Sequence, residues 1–127
     1  MPILEIYSAQ APKDIRGFTK RMNATFAELI GKPESFCMVT FSKVDSLFFA
    51  GSDEPGFLVK VGSIGHIDNN RNAKLTATVT AELEKELGVQ DNRGYFIFTD
   101  VPAENIGFKK NTFANLIKRN HTQSVLF

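Results

Sequence analysis

Two spacings of apolar residues take turns along this chain, a dense β-rich run and a helical stripe, and the order strand–helix–strand occurs twice. Residues 3–7 open the chain as a short strand. Over residues 14–30 the apolar positions are Ile15, Phe18, Met22, Phe26 and Leu29. Steps of three and four place them on one helical face. Pro12 and Asp14 suit the entry to that helix. Gly31 suits a left-handed cap, and Pro33 cannot continue the helix. Residues 36–41 then predict a second strand.

The second half follows the same rhythm. Residues 57–64 read as a strand and Asp68-Asn69-Asn70 as a helix entry, with Leu75, Val79, Leu83 and Leu87 marking one helical face. Gly88 stops this helix as Gly31 stops the first, and residues 95–99 predict another strand. Between the halves, residues 47–50 suggest a short extra strand and residues 51–56 a loop rich in turn formers. Two strand–helix–strand units imply parallel pairs with right-handed crossovers. Joined in one sheet in the split arrangement, they put both helices on one face. Strands such as Phe36-Cys37-Met38-Val39 and Tyr95-Phe96-Ile97-Phe98 are apolar on both sides and want cover on both. One chain has helices for one face only, so the other face and the edges are expected to meet further subunits.

Length and charge narrow the picture. The chain has 127 residues and 14.1 kDa, enough for one domain and short for two. Fifteen basic and fourteen acidic residues leave a net charge of +1. That balance offers no basic stripe for nucleic acid, and the pairs Lys109-Lys110 and Lys118-Arg119 read as solvated surface. The one cysteine, Cys37, cannot form an internal disulfide and, within its apolar run, is expected to be a buried structural thiol. One Cys with His66 and His121 makes no zinc set, so no metal is expected. Neither a secretory leader nor a membrane-length apolar run is visible. A cytoplasmic protein without membrane insertion is the expectation.

Several stretches then fall in a telling order: Met1-Pro2 at the start, Gly31-Lys32-Pro33 after the first helix, and Gly51-Ser52-Asp53-Glu54-Pro55 before the third strand. Ser63-Ile64-Gly65 ends that strand, and Asn105-Ile106-Gly107-Phe108 and Asn111-Thr112-Phe113-Ala114 follow near the C-terminus. Each is weak alone; their order and spacing resemble the macrophage migration inhibitory factor family, with its sister D-dopachrome tautomerase, from Met1 to Ala114. The resemblance implies the tautomerase fold, an α/β (α+β) sandwich of two βαβ units with a four-stranded sheet and two helices on one face. It also implies a homotrimer with sites between neighbouring subunits. Residues 1–114 would form the domain and 115–127 a C-terminal extension, whose apolar close Val125-Leu126-Phe127 suggests packing as an added strand on a neighbouring subunit, the alternative being a loose tail.

The resemblance also assigns roles. Pro2, freed by removal of Met1, would be a secondary amine acting as general base, and Lys32 would bind the substrate carboxylate and depress the amine pKa. Ile64 would offer a backbone N–H, with Ser63 beside it. Tyr95 would reach in from a neighbouring subunit, while Ile106, Phe108 and Phe113 would wall the mouth. Three positions depart from the family pattern: Ile97 replaces an asparagine, Phe36 a rim tyrosine and Phe108 the usual tryptophan. The lost polar contact at Ile97 puts substrate preference in question, since one positioning hydrogen bond is worth roughly 0.5–1.5 kcal/mol. The cysteine pair tied to thiol–disulfide activity in the family falls on Gly56 and Val59.

The implied chemistry is keto–enol tautomerisation of a small aromatic 2-keto acid or enol, of phenylpyruvate or D-dopachrome type, without a cofactor. An ordinary α-amino group has a pKa of about 7.7–8.0; burial and a nearby lysine lower it, so that the neutral amine can take a proton from the carbon beside a carbonyl. The rival reading is a cytokine-like ligand of a cell-surface receptor, exported without a leader, with weak or vestigial tautomerase activity. A relative of the bacterial tautomerases is less in keeping with the two-unit length.

Overall fold

The computed structural model describes residues 1–119. Strand β1 (Ile3–Ser8) leads into helix α1 (Ile15–Ile30), then β2 (Met38–Lys43) and β3 (Phe57–Ser63). Helix α2 (Asn69–Leu87) and β4 (Gly94–Asp100) complete the second unit. A small hairpin, β5 (Gly107–Phe108) and β6 (Asn111–Thr112), and helix α3 (Phe113–Arg119) close the described chain.

Both long helices begin and end as their sequences dictate. Asp14 and Asp68 cap them, accepting hydrogen bonds from the N–H groups of Gly17 and Arg71, which satisfies donors that have no partner within a first turn. Gly31 and Gly88 end them at φ of 72° and 68°, the left-handed region where a Cβ is unfavourable.

The sheet order is β2-β1-β3-β4, with β1–β2 and β3–β4 parallel and β1–β3 antiparallel. The two strands of each unit are therefore neighbours, not separated as the split arrangement has it. A half-turn about an axis normal to the sheet, between β1 and β3, exchanges the units. Such a rotation keeps the face, so α1 and α2 lie on the same side and pack on each other. The core fills the space beneath them: Leu4 and Ile6 of β1, Val59 and Val61 of β3, Phe18, Met22, Phe26 and Ile30 of α1, and Leu75, Val79 and Leu83 of α2. Ile15 is exposed and Ile30 takes its place, because capping at Asp14 turns the first helical residue outward.

Three local expectations change. Phe36 belongs to a 3-10 turn, Glu34–Phe36, and β2 starts at Met38; Pro33 bends the chain so that the N–H groups of Phe36 and Cys37 bond back to Pro33 and Glu34 at 3.0 Å. The extra strand around residues 47–50 reduces to an isolated bridge, Phe49 with Ser52. The extension begins as helix α3 and not as a strand, and its Leu116 and Ile117 pack with Met1 and Phe113 of the same chain. The stretch Val125-Leu126-Phe127 lies outside the described residues.

The sheet face away from the helices is mixed in character. Its middle row runs Thr40, Glu5, Lys60, Ile97, and its end rows carry Met38, Ile3, Leu58 and Tyr95. Cover on both faces is thus demanded of the outer strands, β2 and β4, more than of the centre. Met38 (60% exposed), Ile97 (52%) and Tyr95 (67%) are its open apolar side chains. No helix among the described residues is long and apolar enough to cross a membrane.

Candidate active site

The N-terminus lies inside the molecule. Met38 donates its N–H to the Pro2 carbonyl at 2.9 Å, which extends the β1–β2 ladder by one step and fixes the chain start beside the 3-10 turn. Pro2 is fully buried and Met1 packs against Phe113. Around them opens a cavity of about 370 Å³, bounded by Pro2, Phe36, Cys37, Ile106, Phe108 and Phe113 among others. The far wall is held by the Phe113 N–H bonded to the Ile106 carbonyl at 2.9 Å. Phe108 and Phe113 stack with ring centroids 5.2 Å apart and planes 1° from parallel.

Lys32 approaches from the end of α1. It is buried and donates from Nζ to the Ile64 carbonyl at 3.3 Å, which ties the end of α1 to the loop after β3. That loop is anchored on both sides of Ile64: the Ser63 carbonyl accepts from Val101 at 2.8 Å, and Gly65 N–H donates to Asp100 Oδ1 at 2.9 Å. Ile64 joins the cluster of Met1 and Phe113. Ser63 is fully buried, and its hydroxyl has no hydrogen-bond partner among the described residues. An unpaired buried hydroxyl is unfavourable, and this one lies at the end of β3, on the same face as Val59 and Val61.

Electrostatics follow from that enclosure. The N-terminal amine, here that of Met1, is lowered from 8.0 to about 5, first by burial and then by the charge of Lys32, with Cys37 opposing. Lys32 itself is lowered by burial. Burial raises the Cys37 thiol, which keeps it protonated and unreactive near neutrality.

Six of the ten residues singled out in the sequence thus gather around the N-terminus: Pro2, Phe36, Ile64, Ile106, Phe108 and Phe113. Lys32 is joined to them through Ile64, and Ser63 is the next residue along the chain. Tyr95 and Ile97 are not there. They project from β4 onto the open sheet face, where Tyr95 meets the Phe49 ring edge-on at 5.0 Å. Cys37, only half-buried, lines the cavity beside Pro2 instead of serving the core alone. His66 is a further addition: its Nδ1 lies 2.7 Å from the Ile30 carbonyl, so the ring donates to the last turn of α1 next to Lys32.

Paired βαβ units that enclose their own N-terminus in an apolar pocket define a protein of the tautomerase fold. The sequence model of the macrophage migration inhibitory factor (MIF) family matches residues 1–114. A homologue of that factor from Trichinella spiralis is 30% identical over 117 residues, covering 89% of this chain and 100% of that protein. Solved structures of homologues from Prochlorococcus marinus (33% identity, TM-score 0.82) and Toxoplasma gondii (30%, 0.80) each cover 87% of this chain and 98% of their own. The chain belongs to the macrophage migration inhibitory factor family.

Proposed function

We propose that this chain is a cofactor-independent keto–enol tautomerase whose general base is the Pro2 nitrogen after removal of Met1. The observation that carries the reading is the enclosure of the N-terminus by Phe36, Ile106, Phe108 and Phe113 with Lys32 close by. While Met1 is attached, the Pro2 nitrogen is an amide and has no basic lone pair. Excision makes it a secondary amine and vacates the space of the Met1 side chain, which is buried in the same cluster. Burial and the Lys32 charge then disfavour the protonated form, as they do for the Met1 amine.

A small aromatic 2-keto acid such as 4-hydroxyphenylpyruvate matches these parts. Its carboxylate pairs with Lys32, its ring lies among the Phe side chains, and its acidic C–H faces Pro2. The base takes that proton and returns it to the other end of the enol system, so no redox partner or metal is required. Tyr95 and Ile97 enter from a neighbouring protomer in a homotrimer. Residues 1–114 act as the domain, and 115–127 as an addition to it.

Intact mass comes first, to establish that Met1 is absent. Pro2→Gly is then expected to lower kcat/KM for 4-hydroxyphenylpyruvate by about a hundredfold or more, the usual contribution of a positioned base. Equal rates in the two proteins rule Pro2 out. A cytokine-like role at a cell-surface receptor is the second reading; the naming of the relatives as migration inhibitory factors favours it. Receptor binding by the Pro2→Gly protein tests whether that role uses the pocket.

A further inference from the structure

We propose that His66 is a positioning residue for Lys32. It clamps the loop after β3 to the end of α1 and so holds the Lys32 ammonium on the Ile64 carbonyl. The inference rests on the tautomerase reading and adds a residue to the support of that site.

Two three-residue segments face each other here, residues 30–32 at the end of α1 and residues 64–66 after β3. Each has a left-handed glycine at its centre, Gly31 at φ 72° and Gly65 at φ 73°. Two side-chain bonds cross between them in opposite senses. Lys32 Nζ donates to the Ile64 carbonyl at 3.3 Å, and His66 Nδ1 donates to the Ile30 carbonyl at 2.7 Å. The last residue of each segment thus bonds the first residue of the other, which closes a ring. The His66 bond is the shorter of the two, and its acceptor belongs to a last turn that has no helical donor for it. Because a carbonyl only accepts, Nδ1 carries the hydrogen whatever the charge of the ring. The ring also lies over Gly31, where a Cβ would stand 3.6 Å from Nδ1.

Lys32 needs such a hold. It is buried, burial disfavours its charge, and its own bond is long. Released from the clamp, the ammonium gains by moving out to water. It then leaves the N-terminal amine, which is faced by Lys32 and, with opposite effect, by Cys37. The loop keeps its other anchor, Gly65 N–H on Asp100 Oδ1 at 2.9 Å. Loss of the His66 ring therefore frees the loop from α1 alone.

NMR titration of the full chain, with Met1 removed and proline labelled, follows the amine without any need for turnover. The proteins are wild type, His66→Ala and His66→Asn, and the same three with Lys32→Met. His66→Ala removes the ring only, since histidine already carries a Cβ at φ 60°. Asn accepts that backbone and puts an amide N–H where Nδ1 stood. His66→Ala is expected to raise the amine pKa by part of the rise that Lys32→Met causes, and His66→Asn to restore it. With Lys32→Met already present, His66→Ala is expected to change nothing. KM for 4-hydroxyphenylpyruvate is expected to rise roughly two- to tenfold in His66→Ala, the range one hydrogen bond covers, while kcat above the amine pKa stays close to wild type. His66→Leu, which has bulk and no donor, should match His66→Ala and replaces it if that protein folds poorly. An amine pKa that ignores loss of the ring, or that shifts as far in the absence of Lys32, overturns the proposal. So does a wild-type pKa in His66→Leu, since the ring would then act by bulk. Turnover without these shifts sinks the clamp and leaves the reaction standing, whereas the shifts without turnover sink the reaction alone.

Discussion

The nitrogen at the chain start is enclosed by apolar side chains and lies near a lysine that is itself partly stripped of water. Both conditions favour the uncharged amine, and they act with the same sign. The base works only when neutral, so kcat/KM rises with pH through the amine pKa and then levels off. A lowered pKa sets that rise on the acid side of neutrality. Replacing Lys32 with Met removes the like charge and retains an apolar stem of similar length. The amine pKa then moves up, and the rise in kcat/KM shifts to higher pH; a pH–rate profile of both proteins reads it directly. KM for an aromatic keto acid is expected to increase as well, because the carboxylate loses its partner. An unshifted profile would show that burial alone tunes the amine. These two residues could be picked out of the sequence because Met1-Pro2 and Gly31-Lys32-Pro33 are short motifs at fixed places. Cys37 and His66 could not, since their proximity to the amine and to Lys32 depends on the parallel pairing of β1 with β2 and on the turn after Ile64, which no local pattern encodes.

Elements place these groups, and one loop is organised by a side chain that local pattern gives no reason to notice. Arg93 is buried just before β4, and its guanidinium donates to the carbonyls of Phe49, Ser52, Glu54 and Pro55 at 2.7 to 3.4 Å. It also lies over the Phe49 ring at 5.3 Å, the ring that Tyr95 meets edge-on. One planar cation with five donors thus shapes the loop between β2 and β3. Arg93→Met strands those carbonyls and is expected to destabilise the fold by about 2–4 kcal/mol, in the range for a broken buried network. Urea unfolding measures this; Arg93→Lys should recover only part of it, because an ammonium cannot reach four divergent acceptors. A loss below about 0.5 kcal/mol would mean that water replaces the arginine readily. The helices were legible because a stripe of spacing three and four, an Asp cap and a terminal glycine all agree at α1 and α2. Helix α3 was not legible: an apolar segment this short fits strand and helix equally, and its contact with Met1 and Phe113 is what gives it a place.

At the scale of the whole molecule, the two-unit sheet followed from the repeated strand–helix–strand rhythm, but the polarity of its second face did not. Glu5 and Lys60 stand opposite each other in register at the centre of that face, while Met38, Tyr95 and Ile97 stand open on the outer strands. A lone chain gains nothing from exposing these, and an assembly that seats β2 and β4 against neighbours leaves the polar centre facing a shared interior. If Tyr95 of one protomer completes the pocket begun by Pro2 of the next, the two residues are separable by mixing. Pro2→Gly and Tyr95→Ala proteins should each be weakly active alone. Unfolded together and refolded as mixed trimers, they regain a fraction of wild-type activity, because some pockets then combine an intact Pro2 with an intact Tyr95. Sedimentation should report a particle three times the 14.1 kDa chain, and Ile97→Glu, which puts a charge on the open face of β4, should reduce it to one chain and abolish turnover. If mixing restores no activity although mixed trimers form, Pro2 and Tyr95 do not meet across a subunit boundary, and the pocket must then be completed within each chain.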